Sequence, residues 1–501
     1  MKSRKKAIWG WAMYDWANSA FATTVMSGFF PVFFKQYWSA GVDVNLSTAR
    51  LGLGNAAAGL LVALAAPILG AVADRGSVRK RFLALFAYLG VLMTAALYFV
   101  GKGQWAFALV IYAMGVIGFS GANVFYDALL PEVAGEKEVD FVSGFGFSMG
   151  YLGGGLLFLV NVLMVVMPQR FGLVDAGQAV QVGFLTVALW WGGFTLFILF
   201  WVPEERTAAT RTTTAGIWSG GFAQLKHTFG RLRHMKTVLL FLCAYWLYID
   251  GVDTIIRMAV DYGMSLGFAA NDLLLALLIT QFVGFPAALV FGRLGQRMGP
   301  RKGIFIAIGV YVAATFWGIT MTRKEEFYVL AVVIGLVQGG IQALSRSYYS
   351  RMIPADKPAE FFGFYNMLGK FAAIIGPVLV GGVGLLMRRM LMPTDPTAAD
   401  LVQVGTLAAR WSMASVLILF AAGAILLYFV DEEKGRAQAA LDRCVLTAQV
   451  LAASGALADG LHLGCPVGKD PVHPASHLSK QTAPGIGEAG TDALTELMMT
   501  G

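Results

Sequence analysis

Long apolar runs alternate with short polar breaks along the whole first part of the chain. A helix that crosses a bilayer needs about 20 mostly apolar residues. Runs of that kind recur at 9–34, 50–73, 82–101, 104–128, 141–167, 182–202, 237–259, 271–292, 302–321, 327–349, 361–387 and 407–430. They predict an all-α membrane protein with twelve spanning helices. Some runs carry polar residues three or four positions apart, which places them on one helix face. The clearest is YWLYIDGVDTIIRMAVD, Tyr245 to Asp261, with Asp250, Asp253, Arg257 and Asp261 on a single stripe. A charge at the centre of a membrane helix costs about 2.5–3.5 kcal/mol even on the lenient insertion scale. The stripe therefore predicts partners or water, not lipid. At about 1.5 Å of rise per residue, Asp250 falls near the midplane and Asp253 further out. Arg257 reaches the outer rim and Asp261 lies in water.

The other polar residues sort by span. The first span has Asp15 and Asn18, the fourth Asn123 and Asp127. The tenth has Gln338, Gln342 and Arg346 on one face, and the eleventh Asn366 and Lys370. Spans three, six, nine and twelve are nearly free of internal charge, as lipid-facing helices should be. Asp250 and Asp253 are the strongest candidates for a substrate or proton site. Their competing reading is structural ion pairing, with Arg257 one turn from Asp253. For Gln338 and Gln342 the competing reading is hydrogen bonding between helices. Asp15 and Asn18 sit beside Trp11, Tyr14 and Trp16, which fit an interfacial aromatic belt. The carboxylate of Asp15 is also a candidate proton carrier.

Composition agrees with a membrane protein. Of 501 residues, 57% are hydrophobic and 14% charged, against about 25% charged in soluble domains. The net charge of +8 does not indicate nucleic acid, because the basic residues occupy short loops and no continuous face. They favour alternate loops: Lys2, Arg4, Lys5 and Lys6, then Arg75, Arg79, Lys80 and Arg81, then Arg293, Arg297, Arg301 and Lys302. By the positive-inside rule those loops and both termini are cytoplasmic. The basic N-terminus leads into a retained first span, not a cleaved signal. Cys243, Cys444 and Cys465 make no disulfide framework.

The longest inner loop, 203–236, divides the spans into 1–202 and 237–430. A repeat supports the division. GAVADRGSVRK at 70–80 is echoed by GRLGQRMGPRK at 292–302, and DFVSGF at 140–145 by EFFGF at 360–364. Asp15-x-x-Asn18 is matched by Asp250-x-x-Asp253. Asp74, Arg75, Arg79 and Asp127 gather at span ends on the inner side, with Arg346 ending the tenth. They predict a charge cluster that holds that side shut and breaks on a change of state. The second copy has Gln296 where the first has Asp74, so the latch is expected to be asymmetric. Residues 431–501 read as a short amphipathic helix at about 432–452 followed by a disordered cytoplasmic tail. His462, Cys465, His473 and His477 in that tail lack the paired CxxC of a strong metal site. No metal or cofactor is expected.

GAVADRGSVRK resembles the loop signature of the major facilitator superfamily, Gly-x-x-x-Asp-Arg-x-Gly-Arg-Lys, with Gly76 one place early and Arg79 and Lys80 one place late. YDWANSAFATTV at 14–25, LLPEVA at 129–134, SGFGFSMGYLGGGLL at 143–157, DGVDTI at 250–255, QALSRSYYSRMIP at 342–354 and EFFGFYNMLGK at 360–370 resemble its bacterial "unknown major facilitator" branch. That branch is related to autophagy-linked vacuolar amino-acid effluxers of fungi. The resemblance covers about residues 9–430. It implies two parallel six-helix bundles and a central cavity lined by spans one, four, seven and ten. It pairs the basic loop group with the acid ending span four, here Asp127. It also implies a monomeric secondary transporter in the bacterial inner membrane, with amino-acid efflux as the leading function and protons as a permitted coupling ion. Uncoupled facilitation of sugars or organic acids is the alternative within this class, and a non-transporting sensor or scaffold the alternative outside it. No His lies in a span and no GxxxxGK[ST] occurs, which argues against membrane-embedded metal hydrolysis and ATP drive.

Overall fold

A computed structural model describes residues 2–42, 44–76, 78–204, 230, 235–265, 270–354, 357–393 and 397–440. Most of the predicted 203–236 loop and the tail from 441 lie outside the described residues, including His462, Cys465, His473 and His477. So do the side chains of Arg75, Arg257 and Asp261.

Helix α1 starts as Lys2–Ala20 and continues unbroken through Phe21–Phe29, Phe30–Phe33 and Phe34–Trp38. The remaining helices are α2 (Val44–Gly76), α3 (Arg79–Ala96), α4 (Trp105–Ala128), α5 (Val139–Val166), α6 (Ala176–Trp201), α7 (Lys236–Ser265), α8 (Ala270–Met298), α9 (Pro300–Thr320), α10 (Lys324–Met352), α11 (Pro358–Leu391) and α12 (Ala398–Tyr428). Each predicted span lies on one of them. Ten helices among the described residues are long and apolar enough to cross a membrane; α1 and α11 are not among those ten. A further helix occupies 432–440, the start of the amphipathic segment expected after the last span.

The second half of α1 is π-helical at Phe21–Phe29 and Phe34–Trp38. Pro31 lies between these stretches. Its ring clashes with the carbonyl one turn back in a regular α-helix, and widening the turn relieves that contact.

The packing repeats. In α1–α6, α1 packs on α5 and α6, while α4 packs on α2 and α3. In α7–α12, α7 packs on α11 and α12, while α10 packs on α8 and α9. The two sets meet along α5–α8 and α2–α11. Leu85 and Leu92 on α3, Leu189 and Phe200 on α6, Ile306 and Phe316 on α9, and Ile418 and Ile425 on α12 are all exposed. These are the four helices expected to face lipid. Below, the near end is the one that holds the start of α1 and the end of α12; the other is the far end.

Candidate functional site

The two sets dock at the near end through glycines. A Cβ on Gly70 would lie 2.1 Å from the Ala359 carbonyl oxygen, and one on Gly363 would lie 2.7 Å from that of Ala66. Along α5–α8, a Cβ on Gly144 would lie 2.7 Å from the Ala288 oxygen, and one on Gly292 would lie 3.1 Å from that of Asp140. Gly70 and Gly292 open the two echoed loop motifs. Both seams therefore rest on the same repeated residue, which lets backbone approach backbone.

Charged side chains bridge these seams. Asp74 accepts from Arg79 Nε at 2.7 Å. It also accepts from the backbone N–H groups of Ala359 at 3.2 Å and Glu360 at 2.8 Å. Those donors belong to the first turn of α11, where backbone N–H groups have no partner inside the helix and the dipole favours an anion. Arg79 also pairs with Glu132, and Lys80 Nζ donates to the Val202 oxygen at 2.6 Å. In the second copy, Gln296 Nε2 donates to the Lys137 carbonyl at 3.0 Å, just before α5. Arg351 pairs there with Asp140 and with Glu432 at 3.4 Å. The two copies thus make different contacts. A carboxylate caps α11, whereas a neutral amide meets the approach to α5 and an Arg–Asp pair supplies the charge.

Arg346, on α10, crosses between the sets. Its Nη1 lies 3.1 Å from Asp127 Oδ1, its Nε donates to Ser143 Oγ at 3.0 Å, and its Nη2 donates to the Ser143 carbonyl at 3.0 Å. The guanidinium lies 4.8 Å from the Trp11 ring centre and 4.4 Å from that of Phe147. Trp11 in turn stacks on Tyr126 at 4.4 Å and donates to the Tyr126 carbonyl at 2.9 Å. Asp15 accepts from the Tyr126 hydroxyl at 3.2 Å and from Ser19 at 3.3 Å. Asn18 donates to Asn123 at 2.6 Å. Asp127 also accepts from Asn366 Nδ2 at 3.0 Å. Asp15, Asn18, Asn123, Asp127 and Arg346 therefore form one polar layer.

Two expectations are corrected. Among the described residues, Asp127 does not partner the basic loop group. Glu132 takes that place because the chain continues past α4 in a short helix, Leu130–Val133. Asp250 does not open onto a shared cavity. It is fully buried against α11, where both carboxylate oxygens accept from the Gly376 N–H at 3.0 and 3.1 Å, and Thr254 lies 3.4 Å away. Its counterpart Asp15 packs the same way: a Cβ on Gly150 would meet Asp15 Oδ1 at 2.9 Å and Ser19 Oγ at 2.6 Å. An aspartate, a hydroxyl one turn later and a facing glycine thus recur in both sets. A Cβ on Gly376 would lie 1.7 Å from Thr254 Oγ1. Gly376→Ala is expected to lower the Tm by several degrees, since overpacking costs about 1–3 kcal/mol, and Thr254→Ala should recover part of the loss. Thermal unfolding of the single and double variants in detergent checks this.

Asp253, Gln338 and Gln342 are half-buried, as are Asn366 and Lys370. Sequence reasoning missed Ser143, Phe147, Glu132, Asp140, Arg351 and Tyr151. Of these, Asp140 carried a signal, since it opens the second echoed motif.

The fold and this site define a major facilitator transporter, an integral multi-pass membrane protein for a small molecule. The human organic anion transporter MFSD10 (TETRAN) superposes with a TM-score of 0.61 at 15% identity, over 85% of this chain and 99% of that one. The family model described as "Vacuole effluxer Atg22 like" matches residues 3–51 and 41–384, and the chain belongs to that family. The Bacillus subtilis (strain 168) protein described as "Uncharacterized MFS-type transporter YxiO" is 37% identical over 435 residues, covering 86% of this chain and 96% of that one. Autophagy-related protein 22 of Kluyveromyces lactis is 24% identical, covering 75% and 87% respectively.

Proposed function

We propose that the protein is a secondary transporter, not an enzyme. It moves a small polar solute between α1–α6 and α7–α12 by alternating access, with amino-acid efflux as the leading substrate class and direction. The observation that carries this reading is Arg346, a buried guanidinium of the second set held by Asp127 and Ser143 of the first. Such a contact must break whenever the near end opens. The half-buried Asp253, Gln338, Gln342, Asn366 and Lys370 offer groups of both signs, which suits a zwitterion. The basic loops make the near end cytoplasmic, in the inner membrane of a bacterium, and the protein works as a monomer. The two sets of six helices are its moving halves.

Arg346 lies within electrostatic reach of two carboxylates, Asp15 and Asp127. One cation cannot neutralise both, so Asp15, held by Tyr126 and Ser19 hydroxyls, carries the coupling proton. Purified protein in liposomes loaded with labelled amino acids should release them faster under a pH gradient. Asp15→Asn should remove the gradient's effect while leaving exchange at equal pH. An unchanged response to the gradient in that variant would sink the coupling role. No flux of any amino acid in the parent would sink the substrate class.

A further inference from the structure

Tyr151 of α5 is seated in a slot that belongs to the other set. Gly284 of α8 and Gly339 of α10 form its walls. A Cβ on Gly284 would lie 2.8 Å from Tyr151 Cδ1, and one on Gly339 would lie 2.6 Å from its Cε2. No side chain fits at either position while the ring is present, because aromatic carbons pack no closer than about 3.5 Å. The ring is almost fully buried. Nearer the near end, Ser148 Oγ donates to the Phe285 carbonyl of α8 at 2.8 Å. Further along α5 sits Ser143, which holds Arg346. Tyr151 thus lies about 12 Å beyond the Arg346 layer toward the far end, at 1.5 Å per residue.

We infer that Tyr151 is the occluding residue of the transport path: its ring, docked between Gly284 and Gly339, forms the floor that closes the central cavity toward the near end. This rests on the alternating-access reading above. The ion pairs at the near end hold the seams from outside, but they leave the shape of the path to the packing beneath them. A rigid ring in a two-glycine slot supplies that shape, and it has two discrete positions, docked and withdrawn. Separation of α5 from α8 and α10 must pull the ring out of its slot. Docking and opening are therefore mutually exclusive.

The test uses the full-length protein in liposomes, with Cys243, Cys444 and Cys465 replaced by Ser and Ser148→Cys as the reporter. A membrane-impermeant maleimide is applied from the near-end side. Ser148→Cys should label slowly in the parent, because it lies in the closed seam. Gly339→Val fills the slot and should raise the labelling rate at least tenfold. Adding Tyr151→Ala lets the new isopropyl group take the ring's place in the slot, so the seam closes again and the rate should fall back toward the parent. Tyr151→Phe keeps the ring and should stay within twofold of the parent. Parent-like labelling in Gly339→Val, or no recovery in the double variant, overturns the inference. If Gly339→Val does not fold, Tyr151→Ala alone decides: removal of the floor should speed labelling, and an unchanged rate rejects the role. Labelling needs no solute, so a wrong substrate class leaves this result intact.

Discussion

Arg346→Ala is expected to abolish net transport while the protein still inserts and folds. Loss of the guanidinium leaves Asp127 buried with Asn366 as its one side-chain donor among the described residues. Breaking a buried ion pair by deleting one partner costs about 3–5 kcal/mol. Because the pair joins the two sets of helices, that cost falls on the closed near end, and the population should move roughly a thousandfold toward the open one. Arg346→Lys should recover little. An ammonium cannot reach Asp127, Ser143 Oγ and the Ser143 carbonyl together, and it lacks the flat guanidinium surface that lies near the Trp11 and Phe147 rings. Flux in liposomes and maleimide labelling of Ser148→Cys report the two effects. Slow, parent-like labelling in Arg346→Ala would show that the pair does not hold the near end.

The second large effect belongs to Asp74. Asp74→Ala removes an acceptor for Arg79 and for two N–H groups at the start of α11. Buried donors left without partners cost about 1–3 kcal/mol, a shift of roughly 5- to 150-fold toward the open near end. Gln296→Ala is the matched comparison, because it removes a single neutral bond to Lys137. Labelling should rise markedly in the first variant and only slightly in the second. Equal effects would mean that the two seams are locked to the same degree and that the loss of the acid in the second motif has no mechanical meaning.

Much of the architecture was legible in the sequence, because a bilayer imposes a length and an apolar run that can be read directly. The helix repeat was legible through Gly70 and Gly292, which recur for a geometric reason: backbone meets backbone at both. Arg346 was legible as a residue in need of partners, because a charge inside a membrane helix is almost always paired. The surroundings of Asp250 were not legible, because depth and charge say nothing about which neighbour donates to the carboxylate. The answer was an amide N–H at Gly376, and nothing in its own helix signals that. Tyr151 was invisible for a related reason. An aromatic residue in an apolar run looks like any other, and its meaning lies in two glycines on other helices, far away in the chain.

The helix at 432–440 bears on how the protein can be shortened. Glu432 pairs with Arg351 of α10, Arg436 with Glu432 at 2.6 Å, and Arg436 approaches Glu136 in the α4–α5 loop at 3.9 Å. Gly435 rests on Met352, and Ala439 is buried. A chain ending at 430 would keep every spanning helix yet lose a strap that ties the second set to the first. A chain ending at 440 keeps it. The boundary of the working machine therefore lies past the last apolar run, in residues that hydropathy alone would trim away.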